Sequence, residues 1–222
     1  MILISRAGLI ALLGVVMQLA TPMQPAAILQ IVREPLKPGS DAEFSAIEED
    51  RARVSVRLGC PHPYLGTESL TGSKEAWWFN AYESSSEQQQ VAAAYAKNTA
   101  LLAEYQRTAG PKARLTLEPI ETFAHYRPDL SIGKPWVPGR GRFLVITVTK
   151  SDRRITGTVF EGSDGTRFIV APAQTRAEAD AARAFAGPEA TILAVRPSWS
   201  FPAKDWVDAD SAFWQPHVPV KP

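Results

Sequence analysis

Five residues in the first half of the chain are of types that could do chemistry together: Glu68, Trp78, Asn80, Tyr82 and His125. In the run Glu75 to Tyr82 (EAWWFNAY), strand alternation puts Ala76, Trp78, Asn80 and Tyr82 on one face and Trp77, Phe79 and Ala81 on the other. The second set suits a core packed on helices. The first mixes aromatic and polar groups, as the wall of a ligand-bearing cleft does. The cleft would have an aromatic wall, with Asn80 as hydrogen-bond donor and Glu68 or His125 as proton acceptor. Glu68 lies on the preceding strand, and the turn register decides its face, because a slip of one residue reverses it. The same residues also fit a structural role. Trp78 and Tyr82 would then cover a dimer or inter-domain interface, with the polar three satisfied inside it.

Other chemistries find little support. The three histidines, His62, His125 and His217, are far apart and lack ligand spacing, so no metal site is expected. His62, between two prolines, reads as a surface-loop residue. Cys60 is the one cysteine, which excludes an internal disulfide and fits an inert buried thiol. The chain contains no nucleophile elbow, zinc-protease, paired-cysteine or phosphate-loop motif, and no cofactor is expected. With 24 Lys and Arg against 23 Asp and Glu, the net charge of +1 gives no electrostatic footprint for nucleic acid. Hydrophobic residues at 45% and charged ones at 21% describe a globular chain, not a disordered one.

The elements that must position the five residues are read from periodicity and punctuation. Ile28 to Arg33 is a strand. Ser40 and Glu43 form a capping box ahead of a helix whose apolar face carries Phe44, Ile47, Val54 and Leu58, with Glu48 and Arg51 opposite. Tyr64 to Thr71 and Glu75 to Tyr82 form a hairpin. Ser84 and Glu87 open a second helix, broken near Asn98 and ended at Gly110-Pro111. Leu115 to Tyr126 closes this unit as βαββαβ. Residues 127–141, with three prolines and three glycines, read as a linker. Phe143 to Lys150, Arg154 to Glu161 and Arg167 to Ala171 are three further strands. A helix capped by Thr175 and Glu178 and a last strand, Thr191 to Arg196, complete a βββαβ order. The tail, 199–222, carries Trp199, Trp206 and Trp214 among prolines, and three indoles favour packing on the body.

Residues 28–126 resemble the antibiotic-biosynthesis-monooxygenase-like group of dimeric α/β barrels. The likeness lies in element order and in Trp77-Trp78-Phe79-Asn80-Ala81-Tyr82-Glu83 leading into a capped helix with Ala-Tyr-Ala-Lys-Asn at 94–98. It implies an α+β fold: a ferredoxin-like half plus a shorter half, antiparallel sheets, barrel-like. It also raises the alternative that the protein is a cofactor-independent monooxygenase acting on a small aromatic substrate in a cleft between facing sheets. The residues by themselves read as a small-molecule binding or assembly module.

Residues 1–26 read as a secretory signal, with Arg6 before a short apolar run from Ala7 to Met17. The expected location is periplasmic or secreted, with membrane contact only through an uncleaved signal. The expected domains are 27–126 and 142–198, flanking the linker. The bare sheet face of the first needs a cover. It would come from the second half as an intramolecular pseudo-dimer or from another chain as a homodimer.

Overall fold

The structure, a computed structural model, describes residues 24–214 of the 222. Most of the expected signal segment and the last eight residues, with His217, lie outside the described residues. No described helix is long and apolar enough to cross a membrane.

Eight antiparallel strands close into one barrel within the chain. They are β1 (Ile28–Pro35), β2 (Leu65–Ser69), β3 (Glu75–Tyr82), β4 (Ile120–Tyr126), β5 (Phe143–Thr149), β6 (Thr158–Gly162), β7 (Arg167–Ala173) and β8 (Thr191–Val195). Around the barrel the order is β1-β3-β2-β8-β5-β7-β6-β4. The seams between the halves are β2 with β8 (Thr67 opposite Val195) and β4 with β6 (Ala124 opposite Gly162). Closure leaves no unpaired strand edge in the barrel formed by the described residues.

Alternation fills the barrel. Leu29, Ile31, Leu65, Trp77, Phe79, Ala124, Leu144, Ile146, Phe160, Phe168, Val170, Leu193 and Val195 point inward, and Trp136, Trp206 and Trp214 join them. This overturns the expected assignment of faces. Trp77 and Phe79 meet the other half, whereas Trp78 packs with Phe44 and Trp199 on the helix side. The reason is occupancy. Trp136, from the segment read as a linker, sits fully buried against Phe79 (ring centroids 5.9 Å) and Phe160 (6.3 Å), so the inward face is a dry core. No cleft separates the facing sheets there.

Helices α1 (Asp41–Arg57), α2 (Ser85–Lys97) and α3 (Thr99–Leu115) lie in the first half, α4 (Arg176–Ala186) in the second, and α5 (Lys204–Ala209) and α6 (Ser211–Trp214) in the tail. The Ser84 and Thr175 hydroxyls accept from the amides of Glu87 (3.1 Å) and Glu178 (3.2 Å), as the capping boxes require. Ser40 does not cap: its hydroxyl donates to the Lys37 carbonyl at 2.7 Å. Asn98 breaks the second helical stretch and caps α3 by accepting from Leu101 at 3.2 Å. α3 continues through Pro111 to Leu115, past the expected stop, because Lys112 in its last turn is held by carboxylates of α1 and β1. β4 consequently starts only at Ile120.

Candidate functional site

The outer face of the first sheet and its three helices do not pack tightly. Between them lies a cavity of about 510 Å³. β1 supplies Gln30, Val32 and Glu34, and β3 supplies Trp78, Asn80 and Tyr82. α1 brings Glu48 and Arg51, α2 Gln88, Val91 and Tyr95, and α3 Leu102, Tyr105 and Lys112. On β1 and β3 the lining residues alternate, and the register pairs Gln30 with Asn80 and Val32 with Trp78, so one strand pair builds a continuous wall.

One end of the cavity is ionic. The Lys112 ammonium lies 2.7 Å from Glu34 Oε2 and 2.7 Å from Glu48 Oε1, and the Trp78 indole N–H donates to the same Glu34 oxygen at 2.7 Å. Arg51 approaches Glu48 at 3.5 Å. All three residues of the Lys112 cluster are buried, at 9% or less exposure. Such charges persist in an interior only when paired, and here two cations meet two anions. Glu48 Oε1 is sealed from solvent and makes no aligned hydrogen bond, so its contact with Lys112 is one of charge.

The helix side is phenolic. Ser55 Oγ lies 2.7 Å from Tyr105 Oη and 3.0 Å from Tyr64 Oη, and it donates to the Arg51 carbonyl at 2.8 Å. Tyr95 Oη meets the Cys60 thiol at 3.0 Å. Burial, with Tyr105 nearby, pushes the Tyr64 phenol well above its ordinary range. Burial and then Cys60 do the same to Tyr95. Burial lifts Tyr105 to about 12, although its Ser55 hydrogen bond pulls the other way. Tyr82 is raised to about 12 by burial and the charges of Glu121 and Glu87. These phenols are therefore neutral hydrogen-bonding groups at ordinary pH, not bases.

At the polar end, Tyr82 Oη donates to Gln30 Oε1 at 3.0 Å, and Gln30 donates in turn to Glu121. The Asn80 side-chain amide lines the cavity and has no hydrogen-bond partner among the described residues. Its donors and acceptor are available to a guest.

Of the five residues singled out by sequence, the structure brings Trp78, Asn80 and Tyr82 to this cavity and places Glu68 and His125 outside it. Glu68 sits opposite Ala76 on the outer face but is bound by Lys74 (2.6 Å) and Arg196 (2.5 Å). Burial alone would raise its carboxyl. The Lys74 hydrogen bond and the two cations outweigh that and hold it below the usual value. His125 is exposed and pairs with Ile28 and Glu161 along the strand ladder.

His62 is buried, contrary to the surface-loop reading. Its ring stacks on Tyr82 with centroids 4.8 Å apart, and Nε2 lies 3.0 Å from the Ala81 carbonyl, which can only accept. Burial lowers its basicity, against the Ala81 hydrogen bond and the Glu87 charge. It therefore braces the back of Tyr82. Cys60 is buried, as expected.

Gln30, Glu34, Glu48, Arg51, Tyr64, Tyr95, Tyr105 and Lys112 went unremarked or misplaced in the sequence reading. Glu48 had a readable signal: it follows Phe44 by four positions and precedes Ala52 by four, on the buried stripe of α1. Among the described residues there is no group of three or more His, Cys, Asp or Glu that could hold a metal ion.

No protein-family model and no curated protein matches the chain. Two solved structures superpose on the chain in part. A candidate monooxygenase from Fusobacterium nucleatum subsp. nucleatum superposes with a TM-score of 0.49 at 10% identity, covering 78% of this chain and 94% of that one. A candidate monooxygenase from Lactobacillus acidophilus gives 0.40 at 6% identity, covering 83% and 88%. The class defined by fold and cavity is an α+β antiparallel barrel with a pocket on its helix-covered face.

Proposed function

We propose that this protein binds a small aromatic molecule in the cavity between β1, β3 and the three helices of its first half. One observation carries the reading. A space of about 510 Å³ is lined by Trp78, Tyr82, Tyr95 and Tyr105 and holds an amide, Asn80, without a hydrogen-bond partner among the described residues. Ligand sites commonly run to roughly 300–1,000 Å³, mostly apolar with a few placed polar groups. Titration of tryptophan fluorescence with naphthalene derivatives tests it. Val91→Trp, which fills the space from α2, should weaken binding at least about tenfold while the protein stays folded. Unchanged affinity in that variant would place the ligand elsewhere.

A second reading is cofactor-independent oxidation of the bound aromatic, the activity that the sequence resemblance implies. The observation favouring it is a ligand-sized space directly beside Trp78 and Asn80, with the indole fixed by Glu34. Oxygen uptake with 1,4-dihydroxynaphthalene, measured with and without protein, separates the two readings. No acceleration returns the protein to the class of binding modules.

The same reading extends to the halves and to the location. Taken by position, the strand order β4-β1-β3-β2 of the first half recurs as β8-β5-β7-β6 in the second, which supports two ferredoxin-like units. The second lacks the helix between its first two strands. Export through residues 1–26 is part of the proposal, and mass spectrometry of the mature protein from its native host tests it.

A further inference from the structure

Arg51 differs from the other partly buried arginines. Arg33 and Arg142 each place two donors on one carboxylate, Glu75 and Asp210, at 2.9–3.1 Å. Arg51 makes no side-chain hydrogen bond to any described residue. Its guanidinium lies over the Tyr105 ring, 4.6 Å from the centroid, and lines the cavity. Stacking uses the face of the guanidinium and leaves the N–H groups at its edge unspent. The nearest anion is Glu48 at 3.5 Å, and that carboxylate oxygen is sealed away and already against Lys112. A cation stacked on Tyr105 with unspent donors, open to an aromatic space, suits an acidic group on an aromatic ring.

We infer that Arg51 anchors the acidic group of an aromatic anion, an aromatic carboxylate being the simplest case. The ring then lies among Tyr82, Tyr95 and Trp78, with the Asn80 amide available to a second polar substituent. This inference rests on the reading of the cavity as a ligand site and adds the charge of what it takes. Electrostatics weigh in two directions. The four charged side chains are neutral together, so an entering anion is attracted by Arg51 and repelled by Glu48. Beside the Asn80 amide, Arg51 offers donors to the guest, and charge-assisted bonds from a guanidinium are the strong ones.

The test uses two probes of nearly equal shape, 2-naphthoate and 2-naphthamide, titrated into the full chain by calorimetry. The wild type should bind naphthoate about tenfold or more tightly than naphthamide. Arg51→Gln should erase that gap by weakening naphthoate at least about tenfold more than naphthamide. Arg51→Lys, which keeps the charge but loses the planar fork, should fall between. Should Arg51→Gln not fold, salt gives a second measurement in the wild type: naphthoate affinity should fall with ionic strength and naphthamide affinity should not. Equal binding of the two probes, or a gap that survives Arg51→Gln, would overturn the inference and leave the cavity reading standing. Failure of both probes to bind would overturn both.

Discussion

Trp78 and Glu34 are diagonal neighbours on adjacent strands, and the indole N–H of one donates to Oε2 of the other at 2.7 Å, the oxygen that also meets Lys112. That one atom ties β3, β1 and α3 together, and Glu48 adds α1 through the same ammonium. The wall of the cavity is thereby fixed by a polar junction on top of the packing of Trp78 against Phe44 and Trp199.

Lys112→Met should destabilise the protein by about 3–5 kcal/mol, because it takes the cation from buried Glu34 and leaves buried Glu48 with Arg51 alone at 3.5 Å. Urea unfolding of the variant checks this. Adding Glu34→Gln and Glu48→Gln to it should recover a large part of the loss. A single-variant effect under about 1 kcal/mol would mean that water reaches the junction.

Trp77→Ala should cost about 3–5 kcal/mol, since it empties the barrel core between the two halves. Phe185→Ser, at a position 71% exposed on α4, should lie within about 0.5 kcal/mol of the wild type. Equilibrium denaturation of both variants gives the comparison.

The order and type of most elements were legible in the sequence because each carried a local signal: alternation in EAWWFNAY, Ser84 with Glu87, Thr175 with Glu178. Which residues share a face was equally legible. Which face meets the helices was not, because Trp77 with Phe79 and Trp78 with Tyr82 are both aromatic pairs. Only distant residues decide between them. Trp136, hidden in a Pro- and Gly-rich segment, fills one side; Lys112, beyond a proline expected to end its helix, supplies on the other side the cation that Glu34 and Glu48 require. Three of the candidate residues reached the cavity because a strand's alternation keeps them together whichever way the sheet turns. Glu68 is held away by Lys74, six residues on, and by distant Arg196, and His125 is placed by pairing with Ile28 and Glu161, far along the chain.

The raised phenols set the alkaline limit. Tyr82 and Tyr105 ionise near 12 in the folded protein, against about 10 when unfolded. Below about pH 10 both states hold the protons and the stabilisation is fully present. As the pH rises through 12 the unfolded chain ionises first, and the stabilisation is lost. The urea midpoint should fall steeply above pH 10, and less steeply in Tyr82→Phe. Absorbance at 295 nm should show delayed ionisation for these phenols before unfolding.

Gly66→Ala should disturb the cavity wall from behind. A Cβ there would meet Trp78 Cζ3 at 2.7 Å and the Trp199 backbone oxygen at 3.1 Å. The indole must shift or the strand must move, for a cost of about 1–3 kcal/mol. Near-ultraviolet circular dichroism should change in the tryptophan region, and naphthalene probes should bind more weakly. An unchanged spectrum with full stability would show that Trp78 is loosely held.

Closure within one chain carries the last prediction. The inward face of the first half holds Leu29, Ile31, Leu65, Trp77 and Phe79, and its edge strands β2 and β4 pair only with β8 and β6 across the seams. Expressed alone, residues 24–126 would present that apolar face and two open edges to water, so they should aggregate or pair with a second copy. Co-expressed with residues 127–222, which bring Trp136, β5 to β8 and the tail helices, they should form a soluble one-to-one complex. Light scattering of the purified material gives the masses. A soluble, monomeric 24–126 fragment with native-like circular dichroism would show that the first half does not need the second to cover its inward face.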